Sequence, residues 1–185
     1  FEPGTQFSYQ SMGTLLAAEI TERISQMRFR DFLRRELFDP LGMKHTVLGL
    51  DGLKIEETAI YQQPDSDDAK SFGANSPSWR DMGHPWGGLP GTTGDLAILL
   101  QAFLNGGGYG RARIFSPTTT AAMTRDHNTT INAPWGLGWA LRDSRVWNYF
   151  GDLGSADTFG HVGATGTVAW ADPARQLICV LLTTR

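Results

Sequence analysis

Phe159-Gly160-His161-Val162-Gly163-Ala164-Thr165-Gly166-Thr167-Val168-Ala169-Trp170-Ala171-Asp172 is the stretch on which the fold turns. Glycines at 160, 163 and 166 punctuate a β-like run and bare the backbone where something must come close. His161 stands two residues before Gly163, so an imidazole and side-chain-free backbone can face one cleft. Pro173-Ala174-Arg175 then turns the chain into residues 176–184, apolar and β-branched enough for a buried strand. The pattern predicts a strand lining a site, backed by a core hairpin. An ordinary Gly-rich hairpin with a surface histidine carries the same signature.

Around this stretch the bulk properties narrow the classes. A chain of 185 residues suits one domain with a sizeable core, and 41% hydrophobic residues make it globular rather than disordered. Net charge is −3, with Lys and Arg scattered, which argues against a nucleic-acid partner. No apolar run reaches membrane-spanning length. The first residue is Phe1 and no signal-peptide pattern is visible, so the expectation is a processed, trimmed or partial chain. Cys179, the single cysteine, sits mid-strand and reads as a small buried hydrophobe.

Upstream, residues 1–9 are loop-like with a Pro3-Gly4 turn signal. Ser11 can cap a helix whose Met12, Leu15, Leu16, Ile20, Ile24 and Met27 recur at helical spacing. Tyr9 and Ser11 then sit where helix N–H groups point outward, although a packed aromatic is the plainer reading of Tyr9. A second helix is expected over 28–38, stopped by Pro40. Residues 58–61 fit a short strand, and Asp65-Ser66-Asp67-Asp68 a solvated acidic loop without calcium-site spacing. His84-Pro85-Trp86-Gly87-Gly88-Leu89-Pro90-Gly91 either walls a pocket, with Trp86 as its large aromatic, or simply turns the chain. Thr93 is the expected cap of the next helix, with Asp95 in its first turn and Leu96, Leu99, Leu100 and Phe103 inward. Ser116-Pro117 starts another, with Ala121, Ala122 and Met123 on its core side. Trp135-Gly136-Leu137-Gly138-Trp139 alternates bulky and bare residues, as a strand does beside another backbone. His45, His84 and His127 read as surface or loop residues, and no metal-ligand spacing joins them.

Four motifs now fall in order: Phe1-Glu2-Pro3-Gly4 with Tyr9-Gln10-Ser11; Phe38-Asp39-Pro40-Leu41-Gly42-Met43; Gly87-Gly88-Leu89-Pro90-Gly91-Thr92-Thr93-Gly94-Asp95-Leu96 with Asn105-Gly106-Gly107; and Gly160-His161-Val162-Gly163. Together they resemble the serine β-lactamase and penicillin-binding-protein superfamily, in its class C-like branch of β-lactamases, D-alanyl carboxypeptidases and esterases. The resemblance implies an α/β (α+β) fold, an antiparallel sheet flanked by helices, over one domain spanning 1–185. It also implies that the N-terminal strands and the nucleophile helix lie outside this sequence.

By the same resemblance Tyr9 is the proton-handling tyrosine, His161 and Gly163 stand in the cleft-lining strand motif, and the Ala164 N–H is an oxyanion donor. Ser11 and Trp86 would contact substrate. Ser11 replaces the family's Asn and removes an amide directed at substrate, which argues against β-lactam turnover. The larger departure is the nucleophile. No Ser-x-x-Lys exists here, since Lys44, Lys54 and Lys70 are the only lysines and none follows a serine by three. Three readings compete: a serine hydrolase acting through an acyl-enzyme on an ester, amide or lactam, without metal or organic cofactor; a binding module that kept the fold and lost the reaction; or, ranked last, a structural hairpin protein with no pocket. Expected partners are a small-molecule or peptide substrate and either self-association or a complementing N-terminal segment. Residues 176–184 would be central once that segment is present. The resemblance points to a periplasmic or secreted bacterial setting.

Overall fold

Tyr9, Gln10 and Ser11 lead into α1 (Met12–Ser25), the first of seven described α-helices in a computed structural model that describes residues 1–63, 66–146 and 149–184. Then come α2 (Phe29–Leu33), a π turn (Arg34–Phe38), α3 (Asp39–Leu41), a 3-10 turn (Ile55–Glu57), α4 (Asp67–Phe72), α5 (Pro77–Met82) and α6 (Thr93–Leu104). β1 (Gly108–Tyr109) pairs with β2 (Ala112–Arg113). After α7 (Pro117–Met123), strands β3 (Ala140–Leu141), β4 (Phe159–Val162), β5 (Val168–Asp172) and β6 (Leu177–Leu181) form an antiparallel sheet in that order.

The core follows from α6, which carries apolar groups on two faces. Leu100 and Phe103 pack on the sheet with Phe159 and Ala171, while Ala102 turns to Phe38, Leu41 and Met43. Two side-chain ties set the helix in place. The Thr92 hydroxyl accepts the Asp95 N–H at 3.2 Å and so caps α6. The cap is therefore Thr92, one residue before the expected Thr93. Asp95 is buried and accepts from the His45 N–H at 2.7 Å and the Thr46 hydroxyl at 2.8 Å, binding the preceding loop to the helix. Asp172 does the same for the sheet. Fully buried, it accepts from the N–H and hydroxyl of Ser155 and from the N–H and guanidinium of Arg175.

Several sequence expectations need correction. Pro40 does not stop the second helix. The π turn relaxes the backbone spacing just before it, with the Asp39 N–H bonding the Arg34 carbonyl, and the helix runs on to Leu41, where Gly42 adopts a left-handed cap. Ser11 stands at the N-cap position but its side chain makes no cap hydrogen bond, because its backbone is already helical. The acidic run is a helix start: Ser66 accepts the Ala69 N–H and caps α4, while Asp65 lies outside the described residues. Among the described residues, 58–61 pair with no strand. Arg80, buried on α5, takes their polar groups instead, donating to the Thr58 hydroxyl and the Ala59 carbonyl. Residues 135–141 are a reversal rather than one strand: Trp135 bridges Ala140, and the Gly136 N–H bonds the Trp139 carbonyl at 2.8 Å. On α7 the buried position belongs to Thr120, and Ala121 is exposed. Cys179 is half-buried on β6, the last strand of the sheet, whose Leu177 and Leu181 are exposed.

Candidate active site

His161 is placed by β4, where it pairs with Ala169 of β5 one residue beyond the Gly160–Trp170 pair. Gly160 is required there. A Cβ would strike the Ala169 carbonyl, Trp170 and Phe150, so the strand can lie under Phe150 only if this residue is bare. Tyr9 arrives from the other end of the sequence, on the irregular segment before α1. Its phenol oxygen stands 3.4 Å from His161 Nε2.

The ring chemistry of that contact is determined by the histidine's other nitrogen. Nδ1 lies 2.7 Å from the Val162 carbonyl oxygen, which can only accept. Nδ1 therefore carries the proton of the neutral imidazole, and Nε2 is left as an acceptor for the Tyr9 O–H. Burial lowers the pKa of His161 against the opposing pull of the Val162 carbonyl, and burial raises that of Tyr9. The resting pair near neutrality is thus a neutral phenol donating to a neutral imidazole.

Beyond Val162 the chain leaves the strand. Gly163–Thr167 is a tight turn closed by the Gly163 N–H on the Thr167 carbonyl at 2.9 Å and the Gly166 N–H on the Gly163 carbonyl at 3.1 Å. A Cβ on Gly163 would meet the Thr167 hydroxyl across this turn. Ala164 is exposed on this turn, and the Thr183 hydroxyl donates to the neighbouring Thr165 carbonyl, tying the turn to the chain after β6. Ser11 is exposed two residues beyond Tyr9.

Trp86 belongs to a different cluster. Its ring lies 4.8 Å from that of His84, which has Trp79 at 4.9 Å as a second aromatic neighbour. His84 lies in a loop, as expected, but is buried there rather than at the surface, and burial lowers its pKa. Two aromatic residues were missed at the Tyr9–His161 pair. Trp135 lies 5.8 Å from the Tyr9 ring and 5.9 Å from His161, and Phe7 lies 5.3 Å from Trp135. The Trp-Gly-Leu-Gly-Trp alternation marked Trp135 as close to another backbone but gave no sign of which residues its ring would meet.

An antiparallel sheet backed by α6 and preceded by a helical region is the fold of β-lactamase- and transpeptidase-like proteins. The chain belongs to the Beta-lactamase family, whose model matches residues 1–185. A protein of Salmonella schwarzengrund named "Putative D-alanyl-D-alanine carboxypeptidase" is 31% identical over 203 residues, covering 100% of this chain and 46% of its own length. A β-lactamase from Mycobacterium bovis superposes with a TM-score of 0.71 at 27% identity, covering 100% of this chain and 59% of that one. A family VIII carboxylesterase has the same fold, with a TM-score of 0.77 at 23% identity over 100% of this chain and 54% of the esterase. The chain thus spans about half the length of the curated relatives it matches.

Proposed function

We propose that this chain is the tyrosine- and histidine-bearing part of a serine hydrolase that works through an acyl-enzyme on an ester, amide or lactam. The observation that carries the reading is the Tyr9–His161 contact, with Nδ1 occupied by Val162 and Nε2 open to the phenol proton. Family membership supplies the serine-hydrolase class. The nucleophile is assigned to residues outside these 185, because no Ser-x-x-Lys occurs among them.

In this scheme a serine Oγ attacks the substrate carbonyl as its proton passes to Tyr9 Oη, and the Tyr9 proton moves to His161 Nε2. The imidazolium so formed keeps its Nδ1–H on the Val162 carbonyl. Collapse of the tetrahedral intermediate expels the leaving group, which takes a proton back through Tyr9, and water repeats the sequence on the acyl-enzyme. The Ala164 N–H, on a turn held by Thr183, is the proposed oxyanion donor. Ser11 and Gly163 are proposed to border the substrate, and Trp86 to wall the pocket from its His84 cluster. The name of the Salmonella relative favours a D-alanyl-D-alanine peptide as substrate, and the family resemblance favours a carboxylic ester as the alternative and an exported bacterial setting. No described helix is long and apolar enough to cross a membrane.

The missing Ser-x-x-Lys equally motivates the binding-module reading. Hydrolysis of a p-nitrophenyl ester by the protein carrying this chain separates the two. Turnover that falls on Tyr9→Phe supports the hydrolase, whereas binding of a substrate analogue without turnover supports the module.

A further inference from the structure

We propose that Trp135 is a positioning residue whose indole braces Tyr9 and His161 in contact with each other. The three rings form a nearly equilateral triangle. Tyr9 to His161 is 5.8 Å, Trp135 to Tyr9 is 5.8 Å and Trp135 to His161 is 5.9 Å, the last at 89°. All three separations lie in the range where tilted and edge-on aromatic pairs attract, and an interplanar angle of 89° sets one ring edge-on to the other.

The brace matters because of where Tyr9 sits. His161 is placed by strand pairing, whereas Tyr9 lies on an irregular segment before α1 and is 41% exposed. Trp135, in contrast, is anchored. Its N–H donates to Asp126 Oδ1 at 3.2 Å, its carbonyl accepts from the His127 N–H at 3.0 Å, and it bridges Ala140, which pairs with Gly160 beside His161. Asp126 Oδ1 also accepts the Asn128 N–H at 2.7 Å, which fixes the loop that presents the indole. Gly136 lets that loop pass against the Met123 carbonyl, where a Cβ would collide. Phe7, from the same segment as Tyr9, also lies 5.3 Å from the Trp135 ring. Trp135 therefore ties the sheet to the tyrosine segment through rings rather than hydrogen bonds.

The catalytic consequence rests on the hydrolase reading above; the brace itself does not. The test compares Trp135→Phe, which keeps an aromatic ring, with Trp135→Leu, which keeps only apolar bulk. In the active protein, Trp135→Leu is expected to lower kcat on a p-nitrophenyl ester by roughly 10- to 100-fold with KM little changed, the cost of a small misplacement. Trp135→Phe should restore most of it. In parallel, the His161 imidazole resonances should move in Trp135→Leu in the direction produced by Tyr9→Phe, and less in Trp135→Phe. Wild-type kcat with unmoved resonances in the folded Leu variant would overturn the brace. So would equal losses in both variants with unmoved resonances, which would make the indole a substrate contact. A protein that hydrolyses nothing while the resonances shift as expected would leave the brace standing and remove the hydrolase reading.

Discussion

The Tyr9 phenol oxygen lies 3.4 Å from Nε2 of His161, although 152 positions of sequence separate the two residues. The first residues of the chain are thereby folded back onto β4, which lies between β3 and β5 in the sheet. Because Val162 holds the opposite ring nitrogen, the contact has a defined proton order: tyrosine donates and histidine accepts.

That order predicts a tautomer. Nitrogen-detected NMR of His161 at neutral pH should show the proton on Nδ1, with titration at a midpoint below the ordinary histidine value of about 6.5. Burial drives the shift, so the Tyr9 contact should be present above the midpoint and lost as pH falls through it. A proton on Nε2, or a midpoint above that of free imidazole, would show the contact to be wrongly oriented.

Asp172 makes a separate prediction about acid. Burial alone would raise its pKa, but the hydrogen bonds from Ser155 and Arg175 outweigh that and hold it well below the usual carboxylate range. A depressed carboxylate contributes stability that is complete above the unfolded value of about 4 and is lost as pH falls below it. Urea midpoints measured from pH 7 down to pH 2 should fall less steeply for Asp172→Asn than for wild type. Parallel curves would mean that the Ser155–Asp172–Arg175 bonds contribute nothing to the acid limb.

Phe159 is 2% exposed between α6 and the sheet. Its truncation to alanine should cost about 3–5 kcal/mol, the range for large aromatics removed from a packed core. Chemical denaturation reads this directly, and a loss under about 1 kcal/mol would place the core elsewhere.

Arg80 holds residues 58–61 and the Ala74–Asn75 turn through donors on all three guanidinium nitrogens and lies over the Tyr61 ring at 4.6 Å. Arg80→Lys keeps the charge but loses the planar fork, and should destabilise by about 2–3 kcal/mol as charged hydrogen bonds go unmade. Unchanged thermal melting would mean that the planar fork contributes nothing to stability.

The parts legible in sequence were those governed by local chemistry. Ser116-Pro117 announced α7, the Leu100 and Phe103 spacing announced α6, and the glycine-punctuated run around His161 announced the strand that carries it, but not the Gly163–Thr167 turn that splits the run into β4 and β5. What stayed hidden depended on distant partners. Residues 58–61 have strand composition, but Arg80 takes the Ala59 carbonyl and the Asn75 side chain takes both the N–H and the carbonyl of Tyr61. His84 looks like a loop histidine until Trp79 and Trp86 close over it. Trp135 carries no local sign of its neighbours because Tyr9 and His161 reach it from opposite ends of the chain. Pro40 misled because a π turn upstream absorbed the strain that normally ends a helix.

The central claim is that an acyl-enzyme forms on a serine outside these residues, with Tyr9 and His161 moving its proton. Intact-mass and peptide analysis after a fluorophosphonate or penicillin probe tests it most directly, using the active protein that contains this chain. A single adduct is expected on a serine outside residues 1–185, forming roughly 100- to 10,000-fold more slowly in Tyr9→Phe. A stoichiometric adduct on any serine within Phe1–Arg185 would contradict the account.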